Sequence, residues 1–388
     1  MKQNKWKAGG ISGQRIRTRN WIIGFMWGLL LVVLVRGVVY VNELRSAALR
    51  EQQRMVISQI AESAPPEQEK TVPDKPVESN RHNQPSKSVQ ASVSGTITEA
   101  HNKLSAYDKL WVDVYVSEDK RIEKMPIELY VRGVLAGEMP IDFELEALKA
   151  QAIAARTYIY RRLLAGDTSG PSDKADVDDT IKNQVYIPLG ELIGRWSGAE
   201  KDANLKKLNE AVAETKGQIV TYKGEPIEAS FFSTSNGYTE NASDYWNMDL
   251  PYLRSVSSPW DKAISPKYRE TVTMDLDDFS DKLDVKKSDV LQMRIMDTTA
   301  GHRIKTIRIG RESFSGKEVR EKLGLASSQF IWNIQDGQIR ITTFGYGHGV
   351  GMSQWGANGM AMEGKSAAQI LAHYYTGTKV EKASGVLE

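Results

Sequence analysis

The sequence predicts an α+β protein in three parts: a single N-terminal transmembrane helix, a disordered tether, and one large mixed α/β extracytoplasmic domain. Three observations predict it. Residues 21–41 form an almost unbroken apolar run, residues 64–105 lack the material of a core, and from residue 106 helical periodicities alternate with short runs of strand character.

The first twenty residues carry Lys2, Lys5, Lys7, Arg15, Arg17 and Arg19 and no acid. They read as a basic cytoplasmic tail, since basic residues favour the inner face of a membrane. "WIIGFMWGLLLVVLVRGVVYV", residues 21–41, has the length of roughly 20 residues that crosses a bilayer core. Its one charge, Arg36, lies near the outer end, where a long side chain reaches the headgroups. The N-terminus is therefore expected inside the cell and everything after residue 41 outside. A cleaved signal peptide is the alternative, but the run is long for one and no small-residue cleavage site follows it. Residues 42–63 favour helix without a wide apolar stripe. Residues 64–105 are rich in Pro, Glu, Lys, Ser, Gln and Asn, and complete a 42–105 segment read as helical and then a disordered tether.

The globular domain is placed at 106–388. With 51 Lys and Arg against 49 Asp and Glu, no basic field points to nucleic acid. There is no cysteine, which excludes disulfides, thiol nucleophiles and cysteine zinc sites. Trp111, Val112, Val114 and Val116 suggest a first strand. A helix is predicted over 126–139, with Pro126 in its first turn and Pro140 stopping it. The strongest helix is predicted over 142–165, capped by Asp142, closed by Gly166, and striped by Leu145, Leu148, Ala152, Ala155, Ile159 and Leu163. An Asp-rich loop follows at 167–184, then a helix at 201–215. Strands are expected at 218–222, 227–233, 292–296, 304–309 and 338–343, and a last helix at 366–374. There is no internal repeat.

Glu138 carries the most pointed chemistry. It lies four, seven and eleven residues from Val134, Val131 and Ile127, which puts a carboxylate on an apolar helix face. Desolvation and the negative end of the helix both oppose its ionisation, as a general acid near neutral pH requires. The alternative is a carboxylate that bonds a neighbouring turn. "FFSTSNGYTEN", residues 231–241, gathers Ser233, Thr234, Ser235, Asn236, Tyr238 and Thr239, suited either to a polyhydroxylated ligand or to ordinary turn chemistry. Tyr245 and Trp246 follow, as a sugar platform or as core. In "FGYGHGVGMSQWGANG", residues 344–359, His348 is either a donor in a cleft or a residue bonding local backbone. His82, His101, His302 and His373 form no metal-ligand spacing with it, and no nucleophile-elbow motif for a serine triad is present.

"GVLAGEMP" (133–140), "EALKAQAIAARTY" (146–158), "FFSTSNGYTEN" (231–241) and "GYGHGVGMSQWGA" (345–357), in this order, resemble the stage II sporulation protein D family. The resemblance spans about residues 106–380 and includes the layout of tail, anchor, tether and domain. It implies a glycan-binding groove and a lytic transglycosylase that cleaves the MurNAc–GlcNAc bond of peptidoglycan to a 1,6-anhydro product, with Glu138 as catalytic residue. Arg156, Tyr186, Ser233, Thr234, Ser235, Tyr238, His348, Ser353 and Gln354 are the expected sugar-contacting residues, and the glycine-rich loop is either a groove wall or a segment packed against helix 142–165. The resemblance also implies action in septal wall degradation during engulfment, at the mother-cell septal membrane, beside an amidase-endopeptidase and another septal membrane protein. A non-catalytic amidase enhancer and a membrane-to-wall tether are the alternative readings. Several members hold zinc through cysteines and a histidine near the segment equivalent to 176–186. Those ligands are absent here, Asp176, Asp178 and Asp179 offer only a loose cation site, and no metal or other cofactor is expected. Val185, Tyr186 and Ile187 are expected to anchor the loop by packing instead.

Overall fold

The computed structural model describes residues 107–167 and 174–383. The tail, the apolar run and the tether lie outside the described residues, so the transmembrane helix stands as an expectation. Among the described residues no helix is long and apolar enough to cross a membrane.

The mixed α/β character is as expected. Strand β1 (Trp111–Val116) pairs antiparallel with β2 (Arg121–Pro126), and Val112, Val114 and Val116 alternate inward. Helix α1 (Ile127–Glu138) starts directly from β2, with Pro126 at its N-cap position. It ends at Met139, which is extended because Pro140 follows. Helix α2 (Leu145–Ala165) begins three residues later than the sequence suggests. Pro140 to Phe143 form a turn, so Glu144, not Asp142, takes the N-cap position. Gly166, at φ +61°, closes the helix as expected. Alanines 147, 150, 152, 154 and 155 are all buried. Their small side chains let neighbours close on several sides, and α2 becomes the central rod of the domain.

Strand β3 (Val177–Asp178) adds to β1 in parallel, and helices α3 (Leu189–Gly194) and α4 (Gly198–Glu214) follow. Strands β4 (Gln218–Tyr222), β5 (Glu225–Pro226) and the C-terminal β14 (Lys379–Lys382) form a second small sheet. The strand expected at 227–233 shrinks to β6 (Phe231–Phe232), with the Ser230 carbonyl just before it accepting from the Met352 N–H and the Tyr375 hydroxyl. Short helices α5 (Ala242–Trp246) and α6 (Asp261–Ile264) end this first half.

The chain then builds a lobe that the sequence reading does not separate. It holds β7 (Arg269–Asp275), α7 (Leu276–Leu283), α8 (Lys287–Val290), β8 (Arg294–Thr298), β9 (Ile304–Ile309), β10 (Glu312–Ser315), α9 (Gly316–Leu323), β11 (Phe330–Gln335) and β12 (Gln338–Phe344). Two three-stranded sheets, β11-β12-β7 and β10-β9-β8, enclose a hydrophobic cluster that includes Phe279, Ile307, Val319, Phe330 and Ile341. The chain returns to the first core through β13 (Met352–Ser353), which pairs in parallel with β6, then helices α10 (Gln354–Met362) and α11 (Ala367–Tyr374). A capping box between Ser366 and Gln369 starts α11.

Candidate active site

Glu138 is the last residue of α1, and an extended segment sets its surroundings. Residues 184–187 run along the face of α1 that bears Gly133 and Gly137. A Cβ on Gly133 would stand 2.3 Å from the Tyr186 ring, and one on Gly137 would stand 2.4 Å from the Val185 carbonyl oxygen. The Ile187 N–H donates to the Gly133 carbonyl at 3.2 Å. This approach brings the Val185 N–H to Glu138 Oε1 at 2.7 Å. Arg195 Nη1 donates to the Ala136 carbonyl at 3.0 Å and so satisfies an open acceptor of the last turn. From the far end of the chain, Gln354 Nε2 donates to the Glu138 backbone carbonyl at 3.1 Å.

The Glu138 carboxyl is largely buried, and burial pushes its pKa up against the opposing hydrogen bonds from the Val185 N–H and the Gln354 side chain. No lysine or arginine pairs with it among the described residues, and no charge contributes to the shift. The direction is the one expected from the helical wheel, with desolvation as its cause.

Gln354 owes its place to the start of α10. Ser353 caps that helix by accepting from the Gly356 N–H, and the Trp355 N–H donates to the Ser233 carbonyl at 3.1 Å. Glu138, Gln354 and Ser233 are thus tied together through the first turn of α10. The other predicted hydroxyls face inward. Thr234, Ser235 and Ser353 are fully buried. Thr234 Oγ1 bonds Ser265 Oγ at 2.8 Å. The carboxylate of Asp261, itself buried, accepts from the Ser235 N–H at 2.7 Å, the Ser258 hydroxyl at 2.7 Å and the Ser353 hydroxyl. Burial raises the Asp261 pKa against those donors. Asp261 was not singled out in the sequence. Its buried charge accounts for the small hydroxyl residues around it, which serve the core and not a ligand.

The remaining predicted residues are scattered. Tyr238 is exposed, its ring edge-on to His302 at 4.6 Å. Arg156 is buried in α2, where Nε and Nη2 meet Glu128 Oε1 and Oε2 at 3.1 and 2.7 Å, so its guanidinium is a core element away from any sugar. Tyr186 is also buried, stacked on Tyr130 at 5.7 Å with its hydroxyl donating to Glu123. His348 takes the local-backbone alternative: Nδ1 accepts from the Val350 N–H at 3.0 Å. Phe232, Tyr245 and Trp246 surround its ring with centroids 5.5–5.7 Å away. Burial, with help from Arg320 and Arg303, lowers the His348 pKa to about 3, so the imidazole is neutral at physiological pH.

The glycine-rich stretch divides in two: from Gln354 on it is helix α10, which packs against α2 as one of the two expectations has it, with Asn358 Oδ1 accepting from the Glu144 N–H at 2.8 Å. Gly345, Gly347, Gly349 and Gly351 all have positive φ, between +79° and +116°. Added Cβ atoms would meet the Thr234 carbonyl oxygen at 2.9 Å, Phe232 Cβ at 2.9 Å, Arg303 Cζ at 2.3 Å and the Ser230 carbonyl oxygen at 2.0 Å. The bare backbone of 345–351 therefore packs on segment 230–234 and on Arg303, and these four glycines face protein where a groove wall for a ligand had been expected. Gly351→Ala combines a disfavoured φ, worth about 1–2 kcal/mol, with overpacking worth about 1–3 kcal/mol. Thermal unfolding is expected to show a loss of that summed size; an unchanged melting temperature would refute the packing role.

In the 176–186 segment the carboxylates have protein partners. Asp176 Oδ2 accepts from the Asp113 N–H at 2.8 Å, Asp178 Oδ1 from the Thr180 N–H and hydroxyl at 3.0 and 2.7 Å, and Asp179 Oδ1 from the Ser117 hydroxyl at 2.6 Å. Val185, Tyr186 and Ile187 pack on α1 as the sequence suggests. Among the described residues no group of three or more His, Asp or Glu side chains is placed to hold a metal ion.

Fold and site together define a two-lobed mixed α/β protein with a partly desolvated, cation-free glutamate where a helix, a glycine-packed segment and the start of α10 converge. The Stage II sporulation protein (SpoIID) family model matches residues 115–222. The chain is 50% identical over 277 residues to Stage II sporulation protein D of Bacillus amyloliquefaciens, covering 71% of this chain and 80% of that protein. It is 48% identical over 277 residues, with the same coverage, to Stage II sporulation protein D of Bacillus subtilis (strain 168). It is also 30% identical over 302 residues to the Amidase enhancer of Bacillus subtilis (strain 168), covering 64% of this chain and 40% of that protein. The chain belongs to the stage II sporulation protein D family, whose role is in sporulation.

Proposed function

We propose that the protein is a lytic transglycosylase that cleaves the MurNAc–GlcNAc bond of peptidoglycan during engulfment. The observation that carries this reading is Glu138: a carboxyl held toward its protonated form by burial, oriented by a backbone N–H, with no cation beside it among the described residues. Hydrolysis of a glycoside generally takes two carboxyl groups. Formation of an anhydro sugar takes one. Protonated Glu138 gives its proton to the glycosidic oxygen as the C1–O bond breaks. The muramic C6 hydroxyl attacks C1 and closes the 1,6-anhydro ring, and its proton returns to the Glu138 carboxylate. The nucleophile belongs to the same sugar, so the step is unimolecular, an advantage of up to about 7–11 kcal/mol in well-oriented cases.

The apolar run at 21–41 supports a single-pass anchor with the domain outside the membrane, and the family resemblance supports a place at the mother-cell septal membrane. The family resemblance supports partnership with an amidase-endopeptidase and a second septal membrane protein. The relative named Amidase enhancer supports one second reading, a glycan-binding module that stimulates a hydrolase. Mass spectrometry of purified glycan strands incubated with the full-length chain tests the enzyme directly. Anhydro-muramic ends are expected; intact strands, with amidase products rising only when an amidase is added, would favour the second reading.

A further inference from the structure

The Glu138 carboxyl has a backbone donor at one of its oxygens. Oε1 accepts the Val185 N–H at 2.7 Å, and that N–H is held there by a ridge without side chains: Gly137 lets the Val185 carbonyl come within 2.4 Å of where a Cβ would be, and Gly133 does the same for Tyr186. Tyr186, stacked on Tyr130 and bonded to Glu123, pins the next residue, and the Ile187 N–H binds the Gly133 carbonyl. The donor therefore belongs to a rigid segment bonded to the same helix that carries the acid.

We infer that the Val185 peptide N–H is a positioning group that gives the two oxygens of Glu138 different jobs, Oε1 as the standing acceptor and Oε2 as the atom that carries the proton. This rests on the transglycosylase reading and deepens it. In a protonated carboxyl the carbonyl oxygen is the better acceptor, so the N–H at Oε1 directs the proton to Oε2. Oε2–H then protonates the glycosidic oxygen as the C1–O bond breaks. In the carboxylate that results, Oε1 remains engaged, so Oε2 also takes the proton from the C6 hydroxyl as O6 bonds to C1. One atom can serve both transfers because C6 and a β-linked leaving oxygen project from the same face of the sugar ring. The ridge Gly133–Gly137 is then part of the acid's geometry, though neither glycine touches substrate.

Val185→Pro removes the donor, since proline has no N–H, while Gly137→Ala displaces the segment that carries it. The full-length chain and both variants are titrated by 13C NMR of the Glu138 carboxyl, assigned by its loss in Glu138→Gln, and assayed for anhydro-sugar release across pH. Each variant is expected to raise the Glu138 pKa further, to move the alkaline limb of kcat upward, and to lower kcat about 100-fold with KM little changed. If Val185→Pro does not fold, Gly137→Ala carries the same expectation. A folded variant with an unchanged carboxyl titration and an unchanged kcat overturns the inference. Should the wild-type chain release no anhydro sugar, the functional reading fails, and the carboxyl titration alone still decides whether Val185 governs Glu138.

Discussion

Glu138→Gln is expected to lower anhydro-sugar release by about 10²–10⁴-fold while making the domain more stable at neutral pH. The loss follows from chemistry: an amide is nearly isosteric with the acid and still accepts the Val185 N–H, but it has no proton to give. The gain follows from linkage. Burial raises the native pKa of Glu138 above its unfolded value of about 4.3, so the native state binds the proton more tightly. Native stability therefore falls as pH rises from about 4.3 through the raised native value. Glutamine carries no such penalty. Melting curves should show the variant above wild type at pH 7 and level with it below about pH 4. A variant that cleaves normally, or that melts lower at pH 7, would remove Glu138 from the role of desolvated acid.

Glu128→Ala should be among the most destabilising single changes in the described region. Arg156 has no exposed side-chain surface, and its guanidinium is balanced by Glu128, whose carboxylate also accepts from the Gly217 N–H at 3.1 Å and the Tyr107 hydroxyl at 2.5 Å. Removing the acid leaves a buried cation without a counter-charge, a loss of about 3–5 kcal/mol, or about 10 °C in melting temperature for a domain of this size. Burial is the largest single influence and raises the Glu128 pKa, but Arg156, the Tyr107 hydroxyl and the Gly217 N–H together outweigh it and the native value is lowered. The pair's contribution is thus present above the unfolded value of about 4.3 and is lost as pH falls through the native value. The gap between wild type and Glu128→Ala should narrow in acid. A variant that melts with wild type at pH 7 would show that Arg156 is compensated elsewhere.

Where local signals are strong, the sequence was legible. Pro126 and Pro140 bracket α1, the alanine-rich stripe marks α2, and the helical wheel places Glu138 in the last turn of α1, where the structure has it. The inserted lobe was not legible, because its outer strands carry short, mostly polar alternations: β7 and β11 are exposed or half-exposed at most positions. The hydroxyl cluster misled because serine and threonine suit a ligand and a buried carboxylate equally well, and Asp261, which decides between them, lies 26 residues beyond Ser235. The glycine-rich loop misled for a related reason. Glycine reports that something comes close, but what comes close is segment 230–234 and Arg303, identifiable only in three dimensions. One signal was present and unused: the Gly133-x-x-x-Gly137 spacing on the face of the helix that ends in Glu138 marks a surface for a close-packed segment.

The inserted lobe also has a bearing on timing. Its first and last strands are neighbours, with Arg269 opposite Phe344, so the chain enters and leaves the lobe side by side. Glu138 and its partner Gln354 lie 216 residues apart on either side of it. A chain emerging from the ribosome presents α1 and α2 early, but α10 arrives only after the whole lobe has been made. Contacts of such sequence separation form late, because the loop between them must first be closed. The surroundings of the acid are consequently unfinished for most of synthesis and complete only near its end, so an interrupted or truncated chain carries the glutamate without its full setting.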